Sequence, residues 1–350
     1  MFLHKGKFGG ISIILVGDFG QLPPVKDIPM WKKQFGDDTM MGFNAYRTFK
    51  KSINLSVVRR QKDRKFKKLL MRLRNGGMKK KDCQSVWKEL LTRDPQLLQL
   101  PDDYENIIRL FYSNESVHNY NIKKLSSMHK TNVPICKMVA DHKGDKTAQR
   151  ADSTKAWGLH PVIYMAQGAK VMLRINVLQK FGLVNGSQGT VVDILHNEES
   201  YNRFCLPKAI IVDFKDYKGP ALFKDHPTYV PIVTFHASWV DSKHRTRTQI
   251  PLDLSWAMTI HKSQGLTLER AVIDLGNREN PCGGITFVAL SRLKTFEGLF
   301  LKPMTYGRIE QINGKVMMQK RREEEERLQK LYEKLKNESL QAAVVNIGQG

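Results

Sequence analysis

Ile11-Ser-Ile-Ile-Leu-Val16, followed by Gly17-Asp-Phe-Gly-Gln-Leu-Pro-Pro-Val25, is the stretch on which the fold reading turns. The first six residues are short, β-branched and apolar on both faces, which predicts a buried parallel strand. The glycines and paired prolines then predict a rigid loop leaving the carboxyl end of that strand. Open α/β sheets bind their ligands there. Lys5 and Lys7 before the apolar run give it a superficial likeness to a signal peptide, but Asp18, Pro23 and Pro24 follow with no small-residue cleavage site.

Working outward, Lys62 to Leu91 has helical periodicity, with Phe66, Leu69, Leu70 and Leu73 on one face and lysines opposite. Ile107 to Tyr112 reads as a strand, and Ser113 or Asn114 as the cap of a helix that follows it. Residues 130–160 are polar and weakly patterned. Lys170–Leu173, Gly189–Leu195, Ala209–Phe214 and Tyr229–Phe235 read as short strands separated by Asn, Gly and Pro, as in a small barrel. Leu254 to Ser263 is expected to run into a helix or turn. Ala271–Leu275, Gly284–Arg292 and Leu299–Leu301 then read as strand, helix and strand, a βαβ unit. An all-β module inserted in an α/β domain is the resulting expectation. The tail, about 316–340, reads as a charged, solvated helix with Glu323–Arg327 and Glu326–Lys330 as i,i+4 pairs. Leu328, Leu331 and Leu335 form a narrow stripe on it, which leaves a partner-binding helix as the alternative.

The chain has 57 basic and 34 acidic residues, a net charge of +23, which favours a polyanionic partner. Its length and its 41% apolar content suffice for two or three domains with real cores. Cys83, Cys136, Cys205 and Cys282 form no C-x-x-C pair, which argues against a zinc site or a disulfide framework and fits a reducing compartment. No apolar stretch reaches membrane-spanning length.

Four islands carry a family resemblance. They are Gly17–Val25; Leu55-Ser-Val-Val-Arg-Arg-Gln61; Gly168–Leu173 with Leu183–Val191; and Trp256-Ala-Met-Thr-Ile-His-Lys-Ser-Gln-Gly-Leu-Thr-Leu268 with Phe287-Val-Ala-Leu-Ser-Arg292. In this order they resemble motifs III to VI of the PIF-like DNA helicases, in the PIF/RecD branch of superfamily 1, from about residue 8 to 302. The resemblance implies an α/β fold of RecA-like P-loop motor domains, the first incomplete and the second complete, with an inserted SH3-like β-barrel. The expected bounds are 1–58 for the first motor domain, 59–180 with 250–305 for the second, 181–249 for the insert and 306–350 for the tail.

It also implies roles. Gln21 would report the state of the nucleotide, since an amide can donate to a phosphate or water and accept from a neighbour. By its local sequence it could equally be a turn residue satisfying its own backbone. Arg60 and Arg292 would clamp phosphates, as guanidinium does bidentately. Arg292 ends a helix whose Phe287, Val288 and Leu290 should be buried, and would act as an arginine finger facing the other motor domain. Gly265 would border the nucleotide. Thr259, His261, Lys262 and Ser263 would contact single-stranded DNA, with His261 alternatively a hydrogen-bonded structural histidine and Trp256 a core residue. The implied activity is ATP-driven 5′-to-3′ unwinding with Mg²⁺, on single strands and duplex junctions, by a monomer in the nucleus or mitochondrion.

One feature departs from the family. The sequence holds no G-x-x-x-x-G-K-[ST] and no Asp-Glu after an apolar strand. Gly144-Asp-Lys-Thr147 lacks the glycine before the lysine. The resemblance places both missing motifs before residue 1, so the chain would start inside the first motor domain and lack activity alone. A degenerate or transposon-derived, Helitron-like single-stranded DNA-binding protein is the rival reading. A basic scaffold or RNA-binding protein is the third.

Overall fold

The computed structural model describes residues 7–24, 27–33, 37–93, 107–144, 146–196, 206–241, 243–276, 279, 283–302, 306–313 and 316–347. Val25, Cys205 and Cys282 lie outside them. The chain divides into two compact units, residues 1–99 with 264–350 and residues 100–263.

The first unit opens with helices α1 (Asp37–Arg47), α2 (Arg64–Arg74) and α3 (Lys80–Arg93). The Asp63 side chain caps α2 by accepting from the Lys65 amide. The predicted face of α2, Phe66, Leu69, Leu70 and Leu73, is buried, and the Phe66 ring meets Phe296 edge-on at 5.6 Å.

The second unit follows with β1 (Arg109–Phe111), α4 (Asn114–Lys130), β2 (Cys136–Val139), β3 (Asp141–Lys143), α5 (Lys146–Arg150), β4 (Val162–Met165) and β5 (Lys170–Leu173). It continues through β6 (Gln188–Leu195), β7 (Ala209–Asp213), β8 (Tyr229–Ile232), β9 (Phe235–Val240), β10 (His244–Gln249), β11 (Leu252–Leu254) and β12 (Ala257–Thr259). Ser113 caps α4 through its side chain, as the sequence predicts. Strands β1 and β12 run parallel. The rest of the unit is antiparallel: a five-stranded sheet in the order β11-β5-β6-β7-β8, a three-stranded sheet β3-β10-β9, and the pair β2-β4. Its core gathers Val171, Leu173, Leu183, Ile210, Val212, Ile232, Leu252 and Trp256.

The chain then returns to the first unit with β13 (Ala271–Asp274), α6 (Ile285–Ser291), β14 (Leu299–Leu301), α7 (Tyr306–Asn313) and α8 (Val316–Ile347). Strands β13 and β14 are parallel and joined through α6, the crossover read in the sequence. The architecture is mixed α/β.

Two expectations need correction, and two segments hold more regular structure than the sequence reading gives them. Ile11–Val16 is not a buried strand: it belongs to no sheet among the described residues, and Ile14 and Val16 are 87% and 88% exposed. A parallel strand exists only through ladder partners, and no described strand lies beside this one. Leu254–Ser263 contributes strand β12 before its turn, because β1 offers a parallel edge. Residues 130–160 hold strands β2 and β3 and helix α5 despite their weak pattern. The tail helix is not merely solvated. Met318, Arg321 and Glu324 are buried, and Glu324 accepts from the Tyr46 hydroxyl at 2.6 Å. Arg321 donates to the Arg74 carbonyl. Arg327 pairs with Glu324 at i,i+3, rather than with Glu323.

Candidate functional site

Each unit gathers one group of the residues singled out by sequence. In the first unit, the loop after Gly17 folds on itself. The Asp18 carbonyl accepts from the Gln21 amide at 3.0 Å, and its carboxylate accepts from the Gly20 amide at 2.9 Å. Arg74, at the end of α2, reaches the same carboxylate with Nε at 3.0 Å and Nη2 at 2.5 Å. Its Nη2 also donates to Glu325 on α8 at 2.7 Å. Burial alone would raise the Asp18 pKa, but the Arg74 hydrogen bonds and charge outweigh it and hold the carboxyl below its usual value.

Two glycines permit this packing. A Cβ on Gly20 would lie 2.6 Å from the Arg74 side chain. A Cβ on Gly284, whose φ is +98°, would lie 2.7 Å from the Gln21 carbonyl oxygen. Gln21 is thereby seated against the start of α6. Its side-chain oxygen accepts from Gln264 Nε2 at 3.2 Å, so both of its ends are fixed.

Arg60 reaches the segment after Gln264 from another direction. Its Nε donates to Thr267 Oγ1 at 3.0 Å and its Nη1 to the Ser291 carbonyl at 2.8 Å. Arg292 is 3% exposed. It donates from Nε to the Val288 carbonyl and from Nη2 to Ser291 Oγ, both at 2.9 Å. Burial, and then the positive charge of Arg60, push its pKa down to about 10, with Asp18 opposing. Two guanidinium groups therefore gather where α6 ends, held by carbonyls and hydroxyls. Among the described residues neither forms an ion pair. Carbonyls at a helix C-terminus favour cations, but they neutralise neither charge, so the pair keeps an affinity for an anion. Gly265, with φ +91°, has nothing within 4 Å of where a Cβ would stand, so the chain is open there. Gln61 was missed by the sequence reading. It is buried and donates to the Ser291 and Leu293 carbonyls at 3.0 and 2.7 Å, fixing its neighbour Arg60.

In the second unit, Thr259 ends β12 and starts a tight turn. Its hydroxyl accepts from the Lys262 amide at 3.2 Å and its carbonyl from the Ser263 amide at 3.1 Å. Ser263 is fully buried and donates to the Ile260 carbonyl at 2.8 Å. These two hydroxyls build the turn, while His261 and Lys262 reach its surface. Burial lowers the His261 pKa, which favours the uncharged ring near neutrality.

Lys262 is not alone. Asp253, half-buried on β11, accepts from Lys262 Nζ at 3.3 Å, Arg174 Nε at 3.2 Å and His160 Nε2 at 3.1 Å. Burial would raise the Asp253 pKa; the His160 hydrogen bond and the Arg174 charge outweigh it, and the group stays ionised. The sequence signal for Asp253 was a carboxylate inside the apolar strand Leu252-Asp-Leu254. Arg174 and His160 carry no local signal. Trp256 lies in the core. Among the described residues no group of three or more His, Cys, Asp or Glu side chains could hold a metal ion. No helix among them is long and apolar enough to cross a membrane.

No protein-family model matches the chain. It is 29% identical over 300 residues to the ATP-dependent DNA helicase Pif1 of Campylobacter jejuni, covering 83% of this chain and 62% of that protein. It is 30% identical over 302 residues to the ATP-dependent DNA helicase PIF1 of Xenopus laevis, covering 83% of this chain and 41% of that one. The chain thus spans only part of the length of these relatives. Among solved structures, Pif1 helicase from Candida albicans shares the fold with a TM-score of 0.65 at 23% identity, over 87% of this chain and 66% of that one. Pif1 from Bacteroides, solved with ADP-AlF3 and single-stranded DNA, gives a TM-score of 0.60 at 22% identity, over 86% of this chain and 64% of that one.

Proposed function

We propose, from the premise that this chain is a PIF1-like DNA helicase homologue over most of its length, that it carries the nucleotide-sensing and DNA-contacting parts of an ATP-driven 5′-to-3′ DNA motor. The observation that carries this reading is the convergence of Arg60 and Arg292 at the end of α6, with Gln21 fixed nearby by Gln264. A buried and a half-buried guanidinium, neither with a carboxylate partner among the described residues, suit the charge that spreads over a γ-phosphoryl group during transfer. Gln21, Arg60, Gly265 and Arg292 would line the triphosphate. ATP with Mg²⁺ would supply the driving reaction, and His261 and Lys262 would meet the backbone of a single strand next to a duplex junction.

The finer architecture belongs to the same reading. Residues 1–58 would be part of a first RecA-like motor domain, 59–180 with 250–305 a second, and 181–249 an SH3-like insert. The protein would act as a monomer, in the nucleus or mitochondrion.

The 350 residues contain no P-loop and no Asp-Glu to hold Mg²⁺. We expect this polypeptide alone not to turn over ATP at a helicase rate, since positioning and charge neutralisation are most of phosphoryl-transfer catalysis. The same observation favours a second reading, a DNA-binding protein without motor activity.

Both readings require DNA binding. The chain should bind single strands more tightly than duplex, with little sequence preference. A backbone contact of this kind weakens with salt by about 0.7 log units per log unit of salt for each phosphate neutralised. Lys262→Ala should reduce affinity uniformly across sequences and lower the salt slope by roughly one contact. Arg292→Ala should leave DNA binding intact. Affinity that stays flat from low to high salt would overturn the proposal. Steady ATP turnover by the purified chain would overturn its inactive half.

A further inference from the structure

We propose that Trp157 is a stacking platform for an unpaired base, built onto the cation cluster around Lys262. The inference rests on the DNA-binding reading above and adds to it a contact to bases rather than to the backbone.

Trp157 breaks two ordinary rules at once. Its φ is +54°, the left-handed region that bulky side chains avoid, and it is 63% exposed. A turn residue there would ordinarily be Gly or Asn. The strained conformation persists because the turn is over-determined. The Asp152 side chain accepts from the Thr154 amide at 2.8 Å. The Ser153 carbonyl accepts from the Ala156 and Gly158 amides at 3.0 and 2.7 Å, and the Ala156 carbonyl from the Leu159 amide at 2.9 Å. Ala156 and Leu159 are buried at 0% and 1% beside Ala237. The flanks are therefore anchored inward and the indole between them stands outward. Phe235 braces it, with ring centroids 6.4 Å apart at 49°.

The surroundings point to the kind of ligand. Gly158, the next residue, lies directly against the Arg174 guanidinium: a Cβ there would be 2.9 Å from Nη2. Arg174 also donates to the Gly158 carbonyl at 3.3 Å. The same Arg174 shares Asp253 with Lys262 and His160. From Trp157 through Gly158, Arg174 and Asp253 to Lys262, each neighbour touches the next. An exposed ring beside cations is the combination that binds single strands without reading sequence, because every base has a face to stack. Duplex bases are already covered by their neighbours, so the platform would select unpaired nucleotides. A net charge of +23 favours this occupant over an apolar protein segment.

The test uses the full chain with two fluorescent oligonucleotides of equal length, an oligothymidylate and an abasic strand with the same phosphates. Trp157→Ala should weaken oligothymidylate binding about ten- to a hundredfold, the usual worth of one stacked base, and leave the abasic strand within about twofold. Trp157→Phe should retain most of the affinity. Trp157→Gly removes the ring while relieving the backbone, so it keeps the fold and should show the loss seen with alanine. Unchanged oligothymidylate binding by the alanine and glycine variants would overturn stacking while leaving the DNA reading intact; an apolar protein contact would give that result. Equal losses on both strands would also overturn it. Failure of the unmodified chain to bind either strand would overturn both proposals.

Discussion

Replacing Asp253 by asparagine should destabilise the second unit by about 2–3 kcal/mol, a value that follows from its three partners. Removing one member of a buried ion pair costs about 3–5 kcal/mol, because the partner's charge is left uncompensated. The penalty falls unequally here. The Lys262 and His160 side chains are 38% and 41% exposed and regain water when released. Arg174 is 17% exposed and does not; a lost hydrogen bond to a charged group is worth about 1.5–3 kcal/mol. Asparagine keeps an acceptor, which brings the total below the full buried-pair penalty. With a urea dependence of about 1–3 kcal/mol per molar, the unfolding midpoint should fall by about 1 M. Tryptophan fluorescence can follow this, because Trp157, Trp239 and Trp256 lie in that unit. The pH dependence has a fixed sign. The folded pKa of Asp253 is below its unfolded value near 3.8. Its contribution is therefore present above that value and is lost as pH falls through the folded pKa. The gap between the two proteins should be constant near neutrality and close on acidification. An unchanged midpoint at pH 7, or a gap that widens in acid, would refute the assignment of Asp253 as the hub.

Two further substitutions test the packing. Ile14→Lys should change stability by no more than about 0.5 kcal/mol, as surface substitutions do, because Ile14 is 87% exposed; a loss of several kcal/mol by chemical denaturation would mean that it is buried as its sequence pattern suggests. Phe66→Ala should cost about 3–5 kcal/mol, because the ring is 1% exposed against Phe296 and its removal leaves a cavity; a loss below 1 kcal/mol in the same measurement would contradict that packing.

The sequence by itself determined the features that repeat along the chain. The buried face of α2 followed from apolar residues at helical spacing, and the start of α4 from Ser113 as a cap. Strands β5 to β8 and the crossover from β13 through α6 to β14 followed from short apolar runs punctuated by Gly, Asn and Pro. The family resemblance singled out Gln21, Arg60 and Arg292, and the structure places all three in one unit. Tertiary structure alone decided what depends on a distant partner. Ile11–Val16 has the composition of a buried strand, yet a strand is completed by its neighbours and none of the described strands pairs with it. The charged tail reads as solvated, yet Arg321 and Glu324 are buried because Arg74 and Tyr46, more than 240 residues away in sequence, offer a carbonyl and a hydroxyl. Gln61, Asp253 and Trp157 acquire their places in the same way. Periodicity records which face of an element prefers to leave water; it carries no record of which polar atom, far along the chain, will meet that face when it does.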